Sequence, residues 1–180
     1  VFLVDTGGEI FKGKTVIVAA GANHRKLEVP GEKELLGRGV SFCATCDGAF
    51  FKDREVLVAG GGDVALEEAF FLTRFASKVY IAHRRDQFRG AKILQDRVFA
   101  NSKIELLYNS EIDSINGTGN VESVTIKNNK SGVQHNINVD GVFIFVGYIP
   151  NTSFLDNSLL NDCGEVVVDM RMRTSVKGLF

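Results

Sequence analysis

Short apolar runs separated by glycine-containing turns make up the first twenty residues. These runs cover 1–4 (VFLV), 9–12 (EIFK) and 15–20 (TVIVAA), with DTGG and KGK as turn signals between them. Runs of this length bounded by glycine are typical of β-strands, so the pattern predicts a small sheet. The polar stretch from Gly21 to Gly39 breaks this pattern and predicts a domain boundary near residues 22–30.

From residue 55 the pattern changes to alternating strands and helices. A buried-type strand over 55–62 (EVLVAGGG) runs into glycines, helical spacing follows over 63–77, and 78–83 (KVYIAH) predicts a second strand. A helix at 90–101 and a strand at 104–109 complete the order βαβαβ. This order predicts a parallel, Rossmann-like α/β sheet with right-handed crossovers.

Further along the chain, the apolar pattern predicts strands with no helices between them. Strand-like runs separated by polar turns are expected at about 110–116, 121–127, 133–139 and 142–146. We therefore expect an antiparallel β-meander appended to the parallel sheet, and one more strand at 165–170 (EVVVDM). The Gly-x-Gly of GTGN (117–120) has no helix after it, so a hairpin turn is the favoured interpretation.

Composition and charge exclude several classes of protein. The chain has 180 residues, 44% of them apolar, which is enough for one core or two smaller ones. Its 21 basic against 22 acidic residues lack the basic excess of a general nucleic-acid or membrane-surface binder. No apolar run approaches the roughly 18 residues that span a bilayer, and no signal-peptide layout is present, so we expect a cytoplasmic protein. The chain begins at Val1 rather than Met, so we expect a piece of a longer protein, which leaves organellar targeting open.

A glycine loop stands at the predicted junction of a strand and a helix. GGGDVA (60–65) has the pattern GxGxxA, which in dinucleotide-binding folds gives a tight turn, backbone approach to the pyrophosphate and helix–strand contact. The helix N-terminus adds free N–H groups for the phosphates. Asp63 is expected to cap the helix, since a carboxylate would repel the pyrophosphate. The predicted cofactor-binding segment is Gly60, Gly61, Gly62, Asp63, Val64 and Ala65, and the alternative is a glycine loop without a ligand.

The end of the next predicted strand indicates which dinucleotide binds. Folds that bind NAD usually carry an acid there, about 20 residues after the glycines, for the ribose 2′-hydroxyl. This chain has HRRDQFR instead, and Arg84, Arg85 and Arg89 can form charge-assisted bonds to a 2′-phosphate. The sequence therefore predicts NADPH, the alternative being a solvated basic loop. Asp86 lies nearby, where it could brace an arginine.

Two cysteines stand two residues apart in SFCATCDG, residues 41–48. Zinc needs four ligands, and the other candidates show no ligand spacing: Cys163, His24, His83 and His135. A purely structural disulfide is unexpected in a reducing compartment and would close a very small loop. We therefore predict no metal site and assign Cys43 and Cys46 to thiol exchange, in which one thiolate attacks and the other thiol resolves.

Four segments together carry a family resemblance. CATCDG, GGGDVALEEA, HRRDQFR and FVGYIPNT, in this order, closely resemble the low-molecular-weight thioredoxin reductases of bacteria and plants, and the likeness covers essentially all 180 residues. The resemblance implies the flavoprotein fold with two dinucleotide-binding domains. Residues 26–148 would be the NADPH-binding domain with the CxxC, and 1–25 and 149–180 partial segments of the FAD domain.

The resemblance also implies an electron path and residue roles. NADPH would reduce FAD, FAD the Cys43–Cys46 disulfide, and the dithiol thioredoxin, with Cys46 nearer the flavin and Cys43 attacking the partner. Asp47 would be the acid–base group. His83 would join the three arginines at the 2′-phosphate site. Val64 departs from the small polar residue common in the family, which would weaken one hydrogen bond to the cofactor.

The resemblance also implies what lies outside the chain. The family's flavin-binding GxGxxG unit is missing from this chain, and its Gly-Asp flavin motif would begin just after Phe180. We therefore expect this chain to bind NADPH, to hold FAD weakly or not at all, and to be inactive alone. The full-length protein is expected to be a homodimer without nucleic-acid or membrane partners.

Two alternatives stay open. One is the flavoprotein reductase of a peroxiredoxin system, although Ala44-Thr45 between the cysteines favours thioredoxin reductase. The other is a non-enzymatic NADP-binding or redox-sensing module.

Overall fold

The computed structural model describes residues 1–180, which divide into two compact units. One unit combines Val1–Asn23 with Tyr148–Phe180, and the other is the continuous segment His24–Gly147. The sequence puts the divisions after residues 25 and 148, and the assignment of these parts to an FAD and an NADPH domain stays a prediction.

The elements are named here in chain order. The helices are α1 (Ala44–Asp47), α2 (Asp63–Leu72) and α3 (Lys92–Phe99), and short 3₁₀ helices cover Gly48–Phe51 and Asn157–Leu159. The strands are β1 (Phe2–Asp5), β2 (Ile10–Gly13), β3 (Ala22–His24), β4 (Val40–Ser41), β5 (Glu55–Gly60), β6 (Lys78–His83), β7 (Ile104–Tyr108), β8 (Ser110–Asn116), β9 (Ser123–Asn128), β10 (Gln134–Asn138), β11 (Gly141–Phe145) and β12 (Tyr148–Pro150). No helix is long and apolar enough to cross a membrane.

A five-stranded parallel sheet in the order β4-β11-β5-β6-β7 is the centre of the continuous unit. The predicted βαβαβ unit is confirmed as β5, α2, β6, α3 and β7, and with it the α/β class. Both faces of the sheet are covered. Val56 and Val58 pack in the apolar cluster that contains α2, whereas Leu57 and Ala59 pack in the cluster that contains the antiparallel strands. Covering on both faces is why β5 is a continuous apolar run.

The two long helices are shorter than predicted. Helix α2 ends at Leu72 rather than 77, because the following N–H groups bond three residues back, Arg74 to Phe71 and Phe75 to Leu72. The Thr73 hydroxyl donates to the Phe70 carbonyl at 2.7 Å. Bonds of this type tighten and end an α-helix.

The meander prediction is right for three strands and wrong for the fourth. Strands β8, β9 and β10 form an antiparallel sheet, and the GTGN turn lies in the β8–β9 connection, as predicted. The fourth run instead inserts as β11 between β4 and β5 of the parallel sheet. Its centre, Val142, Phe143 and Ile144, is almost completely buried on both faces, which fits a central parallel strand and not a half-exposed meander strand.

The other unit contains two small sheets. Strands β1 and β2 form an antiparallel hairpin as predicted, and β12 pairs with β3. The strand predictions at 15–20 and 165–170 are wrong, because these runs form only the isolated bridges Val16 to Leu179 and Leu160 to Val166. At the second run the Asp169 carboxylate accepts from the N–H groups of Arg171 and Arg173 and folds the chain into a turn.

Candidate dinucleotide and dithiol sites

The turn between β5 and α2 requires glycine at its first position. Gly60 has φ of 150°, in the region that L side chains rarely adopt, and a Cβ there would lie 2.5 Å from the Phe145 carbonyl oxygen. The same Cβ would lie 2.6 Å from the Cβ of the fully buried Ala65. The small residues at both positions therefore let strand, turn and helix pack directly together.

The next two glycines face different surroundings. A Cβ at Gly61 would overlap the ring of His83, whereas a Cβ at Gly62 would meet no atom within 4 Å. Gly62 is the N-cap of α2, and no side chain caps the helix. The N–H groups of the first helical turn have no partner within the helix and carry its positive dipole end. The space over Gly62 thus fits a pyrophosphate at the helix N-terminus.

Asp63 does not cap the helix as expected. It is the first helical residue, and its carboxylate accepts from the backbone N–H of Ala91 at 2.6 Å, at the start of α3. The N–H groups of Arg89 and Gly90 both donate to the Gly61 carbonyl, at 2.8 and 3.2 Å. These bonds hold the glycine loop against the segment that carries the arginines. Val64 lies exposed in the same helical turn.

His83 is buried beneath the loop rather than presented to solvent, with 6% of its surface exposed. Its Nε2 lies 3.0 Å from the Gln87 carbonyl oxygen, and its ring fills the space next to Gly61. Burial lowers the pKa of the imidazole below its ordinary value, and the nearby arginine charges lower it further. The placement fits a neutral side chain that supports the loop.

The three arginines of HRRDQFR are exposed and form no ion pair, and all three follow the carboxyl end of β6. The acid among them is held elsewhere. Asp86 pairs with Lys130 at 3.1 Å and not with Arg84, Arg85 or Arg89, and this lysine keeps the pKa of the Asp86 carboxyl below its usual range. The arrangement leaves the guanidinium groups available for an anion.

The cysteine pair is a disulfide in the structure. Cys43 is the N-cap of the single-turn helix α1, and it is bonded to Cys46. The Cys46 N–H donates to the Cys43 sulfur at 3.2 Å. Cys46 is exposed and Cys43 is half-buried, whereas Cys163 is free and exposed.

Ser41 links the predicted acid–base residue to the dithiol. Its hydroxyl donates to the Asp47 carboxylate at 2.6 Å and accepts from the Cys43 N–H at 3.0 Å. The serine is buried, with 6% of its surface exposed. The sequence pattern did not single out Ser41. The signal for it was a hydroxyl residue two positions before the helix N-cap, where such side chains bind local N–H groups.

A second carboxyl below α1 was also missed. Glu68 lies on α2, and its Oε2 is buried without a hydrogen-bond partner. Burial raises the pKa of Glu68, and the charge of the neighbouring Glu67 adds to the rise, while the backbone N–H groups of Ala44 and Thr45 oppose it. The carboxyl therefore lies next to the first turn of the dithiol helix. Nothing in the helical spacing of α2 distinguishes it from the exposed Glu67.

The whole chain, residues 1–180, matches the family model described as pyridine nucleotide-disulphide oxidoreductase. The chain belongs to this family. Curated oxidoreductases similar to it include thioredoxin reductase of Listeria monocytogenes, 48% identical over 179 residues, which cover 98% of this chain and 56% of that protein. Thioredoxin reductase of Bacillus subtilis is 47% identical over 180 residues, which cover 99% of this chain and 57% of that protein. The chain thus spans about half the length of the curated relatives it matches.

Solved structures of the same oxidoreductase family share the fold. The thioredoxin reductase of Lactococcus lactis in its FR conformation superposes with a TM-score of 0.89 at 44% identity, covering 99% of this chain and 59% of that chain. The T. acidophilum thioredoxin reductase superposes with a TM-score of 0.87 at 35% identity, covering 99% of this chain and 59% of that chain. The resemblance predicted from the four sequence segments is confirmed, and so is the fold class.

Proposed function

We propose that this chain is the NADPH-binding and dithiol-bearing part of an NADPH-dependent thioredoxin-disulfide reductase. One observation carries the proposal: the single unit His24–Gly147 contains both a strand–glycine–helix junction and the Cys43–Cys46 disulfide. The relatives named thioredoxin reductase support the choice of reaction.

NADPH would be held by two groups of residues. The first-turn N–H groups of α2, left open by Gly62, suit the pyrophosphate. Arg84, Arg85 and Arg89 suit the 2′-phosphate, because they are exposed and free of carboxylate partners. His83 supports the loop from below and does not touch the phosphate in this assignment.

FAD would be the second cofactor of the proposed full-length enzyme, and it would supply hydride acceptance from NADPH and electron transfer to a disulfide. The unit formed by Val1–Asn23 and Tyr148–Phe180 contains no strand–glycine loop–helix junction. These residues by themselves do not fit a flavin dinucleotide.

The dithiol chemistry proceeds by exchange. Two electrons supplied by NADPH and two protons would convert the Cys43–Cys46 disulfide into two thiols, of which Cys43 then gives up its proton. The Cys43 thiolate then attacks the partner disulfide, one partner sulfur leaves as a thiol, and Cys46 displaces the partner and reforms the original bond. The Ser41 hydroxyl donates to the Asp47 carboxylate and accepts from the Cys43 N–H, which holds Asp47 next to the dithiol. From this position Asp47 would transfer protons to and from the two thiols.

We infer that the partner is a thioredoxin and that the full-length protein is a cytoplasmic homodimer. The test of the reaction is disulfide reduction by the full-length product that carries this sequence, measured with NADPH and purified thioredoxin. We expect NADPH oxidation to depend on oxidised thioredoxin. Turnover with a peroxiredoxin and none with thioredoxin would reverse the choice of partner, and no turnover with either would reject the enzyme.

A further inference from the structure

The turn between β9 and β10 holds a lysine in a defined place. The Asn128 side-chain oxygen accepts from the N–H groups of Lys130 and Ser131, both at 3.0 Å. The Gly132 N–H donates to the Asn128 carbonyl at 2.8 Å. These bonds fix the backbone from which Lys130 extends.

This turn is joined to the arginine segment after β6. The Asn129 side-chain amide donates to the Arg84 carbonyl at 3.3 Å. The Asn129 N–H donates to the Asn109 carbonyl at 2.6 Å, and the Asn109 N–H donates to the Arg85 carbonyl at 3.0 Å. The β9–β10 turn of the antiparallel sheet is thereby bonded to the arginine segment that follows β6 of the parallel sheet.

Lys130 reaches Asp86 from this position, with Nζ and Oδ2 3.1 Å apart. The two side chains are 65% and 64% exposed, and ion pairs of that kind contribute little to stability. Their effect on a bound anion is different. Asp86 is the only acid between His83 and Arg89, and an uncompensated carboxylate there would repel a phosphate that the arginines attract.

We propose that Lys130 is a specificity-determining residue of the 2′-phosphate site, which acts by neutralising Asp86 and so preserves the preference for NADPH over NADH. The inference rests on the proposed NADPH assignment and adds to it a residue from a separate sheet. NADH lacks the 2′-phosphate, so its affinity is the internal reference.

The experiment is a fluorescence titration of the 180-residue chain with NADPH and with NADH at low ionic strength. We expect Lys130→Ala to weaken NADPH binding about two- to fivefold, the effect of one nearby charge in water, and to leave NADH binding unchanged. Lys127→Ala is the matched control, since Lys127 is exposed on the same sheet and forms no ion pair. Lys127→Ala should change the affinities for NADPH and NADH by less than Lys130→Ala changes the affinity for NADPH. Circular dichroism checks that each variant is folded.

A second background tests the route through Asp86. In an Asp86→Asn chain, Lys130→Ala should weaken NADPH binding less than in the unmutated chain, because no carboxylate remains to be neutralised. An equal loss in both backgrounds, or a loss no larger than that of Lys127→Ala, would overturn the inference about Lys130. Equal binding of NADPH and NADH by the unmutated chain would instead reject the proposed NADPH assignment itself.

Discussion

The ring of His83 occupies the space into which a side chain at Gly61 would project, so these two residues can pack only if position 61 is glycine. Gly62, one residue further, faces open space. The two adjacent glycines therefore differ in purpose. Gly61 makes room for the His83 ring, and Gly62 leaves the backbone at the start of α2 open to a ligand.

This difference gives a matched pair of substitutions. Gly61→Ala should lower the free energy of unfolding by about 1–3 kcal/mol, because the ring must move in a packed site. Gly62→Ala should change it by less than about 1 kcal/mol and still weaken NADPH binding, because the methyl group enters the proposed pyrophosphate space. Urea unfolding and NADPH titration of both variants measure the two effects. Equal destabilisation by both variants would contradict the assignment of separate purposes.

Replacing both Arg84 and Arg85 by Ala should erase the preference of the chain for NADPH over NADH. Charge-assisted bonds contribute about 1.5–3 kcal/mol each, so the loss of two of them should lower NADPH affinity by at least about a hundredfold, with NADH little affected. Parallel titrations of the two cofactors measure the ratio. Arg97→Ala, an exposed arginine on α3, is the control and should keep the preference.

Cys43→Ser in the full-length enzyme should abolish thioredoxin reduction and leave reduction of the flavin by NADPH intact. The flavin spectrum and the thioredoxin assay separate the two steps. If flavin reduction also fails, the proposed order of electron transfer is wrong.

The identity of the attacking cysteine needs its own test, because Cys46 is the more exposed of the two residues. If Cys43 attacks the partner, Cys46→Ser should accumulate a stable mixed disulfide with thioredoxin, since no resolving thiol remains. Non-reducing electrophoresis detects it. Accumulation with Cys43→Ser instead would exchange the two roles.

Glu68→Gln should stabilise the protein at neutral pH. The folded state raises the pKa of Glu68 above its ordinary value near 4.5, so the folded state binds the proton more tightly than the unfolded chain. Stability therefore falls as pH rises through the interval between the ordinary and the raised pKa, and the full penalty is present above it. Urea unfolding at pH 4 and pH 8 should show a gain for Glu68→Gln at pH 8 only. Glu111→Gln, exposed on β8 and in no ion pair, is the control and should show no such difference.

The parts of the fold that could be predicted depend on local signals. The buried run of β5, the glycines after it and the apolar spacing of α2 are contiguous, so they predict one βαβ unit whatever surrounds it. The arginines follow β6 directly and are located by the same reasoning. Strand β11 could not be placed in this way, because an apolar run predicts a strand but does not identify its neighbours.

Two of the site residues that the sequence did not reveal depend on tertiary contacts, whereas Ser41 acts locally through its bond to Asp47, six residues away. Glu68 matters through the approach of α2 to α1. Lys130 reaches Asp86 across 44 positions of the chain. Asp63 is the opposite case. The sequence placed it correctly at a helix start but could not show that its carboxylate would accept from the Ala91 N–H and not from an N–H of its own helix.

The insertion of β11 between β4 and β5 has a mechanical consequence. Strand β4 leads into the dithiol, β5 into the glycine loop and β6 into the arginines, and all run parallel, so the three segments leave the sheet along one edge. A continuous hydrogen-bonded ladder joins them, and it resists stretching between its strands. The distance between the disulfide and the glycine loop is therefore fixed by the sheet, and any motion of this unit would move both segments together.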